Sequence, residues 1–210
     1  MFTELATTPK PYFQERIKYP ALKQQVLVVL LVGIAVNVWR VAIVVPLGAT
    51  ASYIDDAMVL LTLAGLAEYV LLWLVIAGVI HLLASVAGGD SRYDELLRLT
   101  GYGFAPIIVG GAIRSAGYYL ALSGGTPPDS PRGSGFEASL STWNEFVAQT
   151  AGDAIVLGAL VVGSVFVVLA GYLWLLAVTV VTDLETDRAG AVASVATLLV
   201  VVWWLRPVIF

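Results

Sequence analysis

Apolar residues dominate five stretches of this chain, at about 25–46, 62–87, 102–122, 154–178 and 189–207. None shows the two-residue alternation of a half-buried strand. A hydrocarbon core about 30 Å thick is crossed by about 20 helical residues. Each stretch therefore predicts a membrane-spanning helix, and a membrane β-barrel is disfavoured. The expected fold is an all-α integral membrane bundle of five transmembrane helices in one domain spanning 25–210. It follows a basic tail over 1–24 and is accompanied by short interfacial helices.

The polar segments add detail. Phe13 and Ile17 sit four apart beside Arg16 and Lys18, which fits either a short interfacial helix or a plain basic flank. The loop 123–152 begins with a Gly- and Pro-rich run to Gly135. Ser134 and Glu137 then have capping-box spacing. Phe136, Leu140, Trp143 and Val147 follow at helical spacing and predict an amphipathic helix at about 136–150, lying on the outer membrane face. The segment Ser91 to Arg98 reads as a polar helical turn at the inner boundary.

Basic residues orient the bundle. Seven of them (Lys10, Arg16, Lys18, Lys23, Arg92, Arg98 and Arg188) fall on one side, and only Arg132 and Arg206 on the other. The positive-inside rule puts the N-terminus in the cytoplasm and the C-terminus outside. Ala49-Thr50-Ala51 resembles a signal-cleavage site. Arg40 interrupts the preceding apolar run, however, so that run reads as a retained span.

Composition agrees with a membrane location. Of 210 residues, 59% are hydrophobic and 12% charged, with a mean hydropathy of +0.89. The absence of cysteine removes disulfides, thiolate metal sites and cysteine nucleophiles. A net charge of -4 without a basic stripe argues against nucleic-acid binding. The acid excess and the preference for Arg over Lys suit a salt-adapted source.

Candidate chemistry is sparse. His81 is the single histidine, so no two-histidine metal site exists in one chain, and a hydrogen bond to a nearby carbonyl or hydroxyl is its simplest use. Asp183 and Asp187 would share a face of a helical turn. That is thin support for an intramembrane enzyme with a hard cation, and a short acidic connection with Thr186 or Asp187 capping the last helix is simpler. No nucleophile elbow, phosphate loop or cofactor motif is present, so no catalytic, cofactor or metal residue is assigned.

The intramembrane charges are the strongest signal. Arg40, Glu68 and Arg114 interrupt apolar runs, and each would cost on the order of 3 kcal/mol facing lipid. All three fall in the outer half of their segments. Pairing of Glu68 with an arginine is the expected solution, with Arg114 as the main partner because it lies deepest and Arg40 as the second. The alternative is a polar cavity of a small transporter or channel.

Small residues at Gly103, Gly110, Gly111 and Gly117, and at Gly158, Ala159, Gly163 and Ser164, suit close helix packing in a bundle or a homo-oligomer. Pro106 lacks a backbone N–H, and its ring crowds the Tyr102 carbonyl. With Gly101 and Gly103 nearby, a kink or late helix start is expected between Gly101 and Pro106.

The order His81-Leu82-Leu83-Ala84, Gly88-Gly89 and Gly101-Tyr102-Gly103-Phe104-Ala105-Pro106, together with Pro11-Tyr12-Phe13, resembles the Yip family of Ypt/Rab-interacting membrane proteins, in a prokaryotic-type form. The resemblance implies a five-helix bundle with a cytoplasmic N-terminus and no catalytic residues. Its partners would be the lipid bilayer and other membrane proteins. Eukaryotic members bind prenylated small GTPases. This chain lacks the DLYGP-like element those members carry before the helices, so GTPase binding is not carried over.

A reporter fused after Phe210 should be active only when it functions outside the cytoplasm. Cytoplasmic activity at that position would contradict either the helix count or its orientation.

Overall fold

The computed structural model describes residues 2–19, 22–43, 55–123, 136–150 and 152–209. The described residues form α1 (Phe2–Thr7), α2 (Pro9–Arg16), α3 (Lys23–Ala42), α4 (Asp55–Val86), α5 (Tyr93–Gly103), α6 (Ala105–Ser123), α7 (Phe136–Ala148), α8 (Ala154–Val181) and α9 (Thr186–Ile209). Five of these, α3, α4, α6, α8 and α9, are long and apolar enough to cross a bilayer. Pro46 and the proposed Ser134 cap lie outside the described residues, as does the Gly- and Pro-rich part of the loop up to Gly135.

Element boundaries follow local chemistry. The Asp153 side chain caps α8, accepting from the Ile155 amide at 2.7 Å and the Val156 amide at 3.4 Å. The fourth span continues to Val181, three residues past the apolar estimate. The second begins at Asp55, so α4 has 32 residues and is roughly 48 Å long. The last helix begins at Thr186, which puts Thr186 and Asp187 inside its first turn rather than at its cap.

The five long helices close into a ring. α6 packs between α3 and α8, α9 packs on α8, α4 packs on α3, and a narrower α4–α9 seam completes the circle. Glycine sets the closest approach. A Cβ on Gly110 would stand 2.8 Å from the Gly163 carbonyl oxygen, and one on Gly163 would stand 2.6 Å from the Trp204 ring. Gly158, by contrast, faces open space and contributes no packing.

Two segments differ from the sequence expectation. Residues 93–98 are helical, as expected, but are not an isolated polar turn. They enter the three-turn helix α5, whose Leu96, Leu99 and Thr100 are fully buried against α8, α4 and α3. Its one charge inside the packing, Arg98, is neutralised by Asp94 at 3.1 Å and donates to the Tyr19 carbonyl at 2.9 Å.

In α7 the buried stripe is Ser139, Trp143 and Phe146, with Thr150 buried just past the helix end, while Leu140 and Val147 are half-buried. Trp143 stacks on Trp39, 5.8 Å between centroids, and Trp39 stacks on Tyr118 at 4.7 Å. This helix is docked on one end of the bundle through an aromatic stack.

The N-terminal tail is helical and docked as well. Phe13 and Tyr12 are buried, and Tyr12 meets Tyr102 edge to face at 5.3 Å. Burial pushes the Tyr12 phenol above its ordinary pKa, with Tyr102 adding to the effect and Arg16 opposing it. The proposed Phe13–Ile17 face is therefore used unequally, since Ile17 is only half-buried.

Replacing Gly110 by Val should lower stability by about 1–3 kcal/mol through overpacking at the α6–α8 crossing, whereas Gly158→Ala should leave it unchanged or slightly raised. Thermal unfolding in mild detergent measures both.

Candidate functional site: an intramembrane arginine cluster and a broken helix

Glu68 stands 13 residues into α4. Its carboxylate accepts both terminal nitrogens of Arg206 on α9, Nη1 to Oε1 and Nη2 to Oε2, the latter at 3.1 Å. This is the bidentate fork that arginine makes and lysine cannot. Neither side chain is fully enclosed, with 33% of Glu68 and 39% of Arg206 exposed.

The expected partner was Arg114, and the ring explains the difference. Among the spans, α4 packs on α3 and α9 rather than on α6, which carries Arg114, and the Arg114 guanidinium lies over Trp204 of α9. Arg206 is placed by its position near the end of the last span. Counted as a loop charge, it drops out of any search for intramembrane partners. Equal depth on the last helix was the signal that could have found it.

Arg114 is 8% exposed and has no ion pair among the described residues. Its guanidinium lies over two aromatic rings, Trp204 at 5.1 Å and Tyr118 at 5.7 Å, and its Nε has no hydrogen-bond partner. Cation–π attraction offsets part of the desolvation, at about 2 kcal/mol in such a dry setting.

Arg40 donates from Nη1 to the Leu61 carbonyl at 2.7 Å and lies over Trp39 at 5.7 Å, and its Nε is likewise unpaired. It is within electrostatic range of Arg114, Glu68 and Arg206. Tyr69, fully buried with an unpaired hydroxyl, adjoins the same four groups and meets Trp203 edge to face at 5.0 Å. Three guanidiniums and one carboxylate thus lie within electrostatic range of Tyr69. A cavity of about 670 Å³ opens beside them, lined by Arg40, Gly65, Glu68, Leu71, Trp203 and Arg206 among others.

The Gly101-Tyr102-Pro106 element forms the second feature. α5 ends at Gly103, Phe104 makes a turn, and α6 starts at Ala105. The Phe104 amide turns back to Gly101 at 3.3 Å, which leaves the Thr100 carbonyl without its helical donor. The Trp174 indole on α8 supplies one at 3.1 Å. A Cβ on Gly103 would collide with that same indole ring. The Tyr102 hydroxyl reaches back to Gln24 at 2.6 Å. In an apolar medium every freed backbone group needs such a partner, so the break and the tryptophan form one unit. Its contact with Tyr12 also brings Pro11-Tyr12-Phe13 and Gly101–Pro106 together in space.

His81 bonds Ser91 Oγ at 2.9 Å and packs against Tyr93. Among the described residues no group of three or more His, Asp or Glu could hold a metal ion.

A closed ring of apolar helices with docked terminal and loop helices defines a multi-pass membrane protein. Comparison with known families gives the particular one: residues 3–205 match the Yip1 domain, and the chain belongs to that family. A stretch of 49 residues is 43% identical to an uncharacterized protein, MJ0794, of Methanocaldococcus jannaschii. That match covers 23% of this chain and 35% of the relative, so the chain spans about a third of the length of the curated relative it matches. No solved structure matches.

Glu68→Gln should destabilise the protein by about 2 kcal/mol, less than for a fully enclosed pair because both partners are about a third exposed. Replacing Glu68 and Arg206 together by Leu should recover most of the loss, whereas Glu68→Leu with Arg114→Leu should not. Thermal unfolding of the single and double variants separates these outcomes.

Proposed function

We propose that this protein is a non-enzymatic Yip-type membrane protein that recruits another membrane protein through helix packing. The observation that carries this reading is an open groove of about 460 Å³ between α8 and α9. On α9 it is lined by Gly190, Ala193, Ser194 and Thr197, at positions i, i+3, i+4 and i+7, and on α8 by Gly171 and Tyr172. Small residues in that register let a further helix approach closely, and in lipid such packing replaces the hydrophobic effect as the driving force. The occupant proposed is a transmembrane helix of a partner protein. The tail is taken to be cytoplasmic and the membrane to be the plasma membrane of a prokaryote.

The second reading, a small transporter or channel using Arg40, Glu68 and Arg114, has the cavity beside these residues in its favour. The engagement of both Glu68 oxygens by Arg206 supports the recruitment reading over it, because a transport site needs groups free to exchange partners.

The natural sequence has no cysteine, so single substitutions report cleanly. Ser194→Cys should give a cross-linked product of one discrete mass in native membranes, lost when Gly190→Ile is added. Leu63→Cys, on the lipid-facing side of α4, should give none. A product at twice the chain mass would identify a second copy as the occupant. Equal cross-linking from positions 63 and 194 would contradict the reading.

A further inference from the structure

The cluster at the α4–α9 seam carries more positive charge than it neutralises. Glu68 is fully engaged by Arg206. Arg40 uses one guanidinium nitrogen on the Leu61 carbonyl and meets no carboxylate among the described residues. Arg114, more than nine-tenths buried, adds a third positive charge behind them with its Nε unpaired. The rim of the open cavity, Arg40 with the Glu68–Arg206 pair, carries one net positive charge, Arg114 adds a second behind it, and in an apolar surrounding this calls for an anion.

The cavity's shape narrows the kind of anion. Its charged rim, Arg40 with Arg206 and Glu68, lies toward the ends of α3 and α9. From Glu68 its wall continues along α4 through Leu71, Leu72 and Val75, roughly 10 Å of apolar surface. Leu71 and Val75 are exposed, so this wall faces lipid. The order is a charged head at the edge of the spanning region, then an apolar channel running toward its middle. A small soluble anion would need only the rim. An amphiphile uses both parts.

We propose that this cavity binds a membrane lipid with an anionic phosphate headgroup. Arg40 and Arg206 hold the phosphate oxygens, and one hydrocarbon chain lies along Leu71, Leu72 and Val75. Trp203, under the Arg206 guanidinium at 4.3 Å, keeps that side chain over the headgroup position. Glu68 fixes Arg206 from the other side and sets the net charge of the pocket. The site is independent of the α8–α9 groove, and either can fail without the other.

Native mass spectrometry of the full chain tests this, with phosphatidylglycerol or phosphatidylcholine titrated into protein in mild detergent. Phosphatidylglycerol should be retained and phosphatidylcholine should not. Arg40→Gln should weaken retention about tenfold, the loss of one charge-assisted contact. Val75→Trp, a lipid-facing substitution that fills the apolar channel and leaves every charge in place, should weaken it comparably. It keeps the test valid if Arg40→Gln fails to fold. Equal retention of both lipids, or phosphatidylglycerol retention unchanged in the variants, would overturn the proposal. So would displacement by millimolar inorganic phosphate together with insensitivity to Val75→Trp, which would make the pocket a soluble-anion site.

Discussion

The α4–α9 seam is where this ring of helices closes, and a single bidentate ion pair spans it. Elsewhere the ring is held by glycine crossings and tryptophans, which gain from dispersion and from indole hydrogen bonds to free carbonyls. At the seam the packing is thin and a cavity opens. Within a hydrocarbon environment an unpaired charge on either helix would be expensive, so the cheapest state is the one in which α4 and α9 stand side by side. That requirement fixes which helices are neighbours, and it leaves Arg40 and Arg114 to other partners.

Those two arginines show how a membrane interior accommodates charge without a counter-ion. Arg114 is laid between the rings of Trp204 and Tyr118, and Arg40 leans on Trp39 and a backbone carbonyl. Both retain an unpaired Nε. The arrangement packs and is still electrostatically incomplete, and it is this residual charge on which the proposed lipid site rests.

Much of the architecture was legible in the sequence because hydrocarbon imposes a strong rule. Predominantly apolar stretches of the right length without two-residue alternation read as helices there, and the five spans follow. The break near Pro106 was legible for the same reason: a proline between glycines removes a donor that nothing in lipid can replace. What satisfies the Thr100 carbonyl freed at that break, Trp174 from another helix, depends on tertiary contact and left no local mark. The identity of Glu68's partner was hidden for a related reason. Depth along a helix can be counted, but the order of helices around a ring cannot, and Arg206 looked like a flank. The length and burial of α5 were hidden because Arg98 and Asp94 mask a buried face that Leu96, Leu99 and Thr100 share.

The pairing of α4 with α9 is tested most directly by exchanging its charges. Glu68→Arg and Arg206→Glu, each alone, place like charges together in the seam and should lower the melting temperature sharply. The two combined restore one carboxylate and one guanidinium at the same positions. A melting temperature for the exchanged protein close to that of the natural one, well above either single reversal, is the expected result. An exchanged protein as unstable as the two single losses added together would contradict the closure of the ring through this pair.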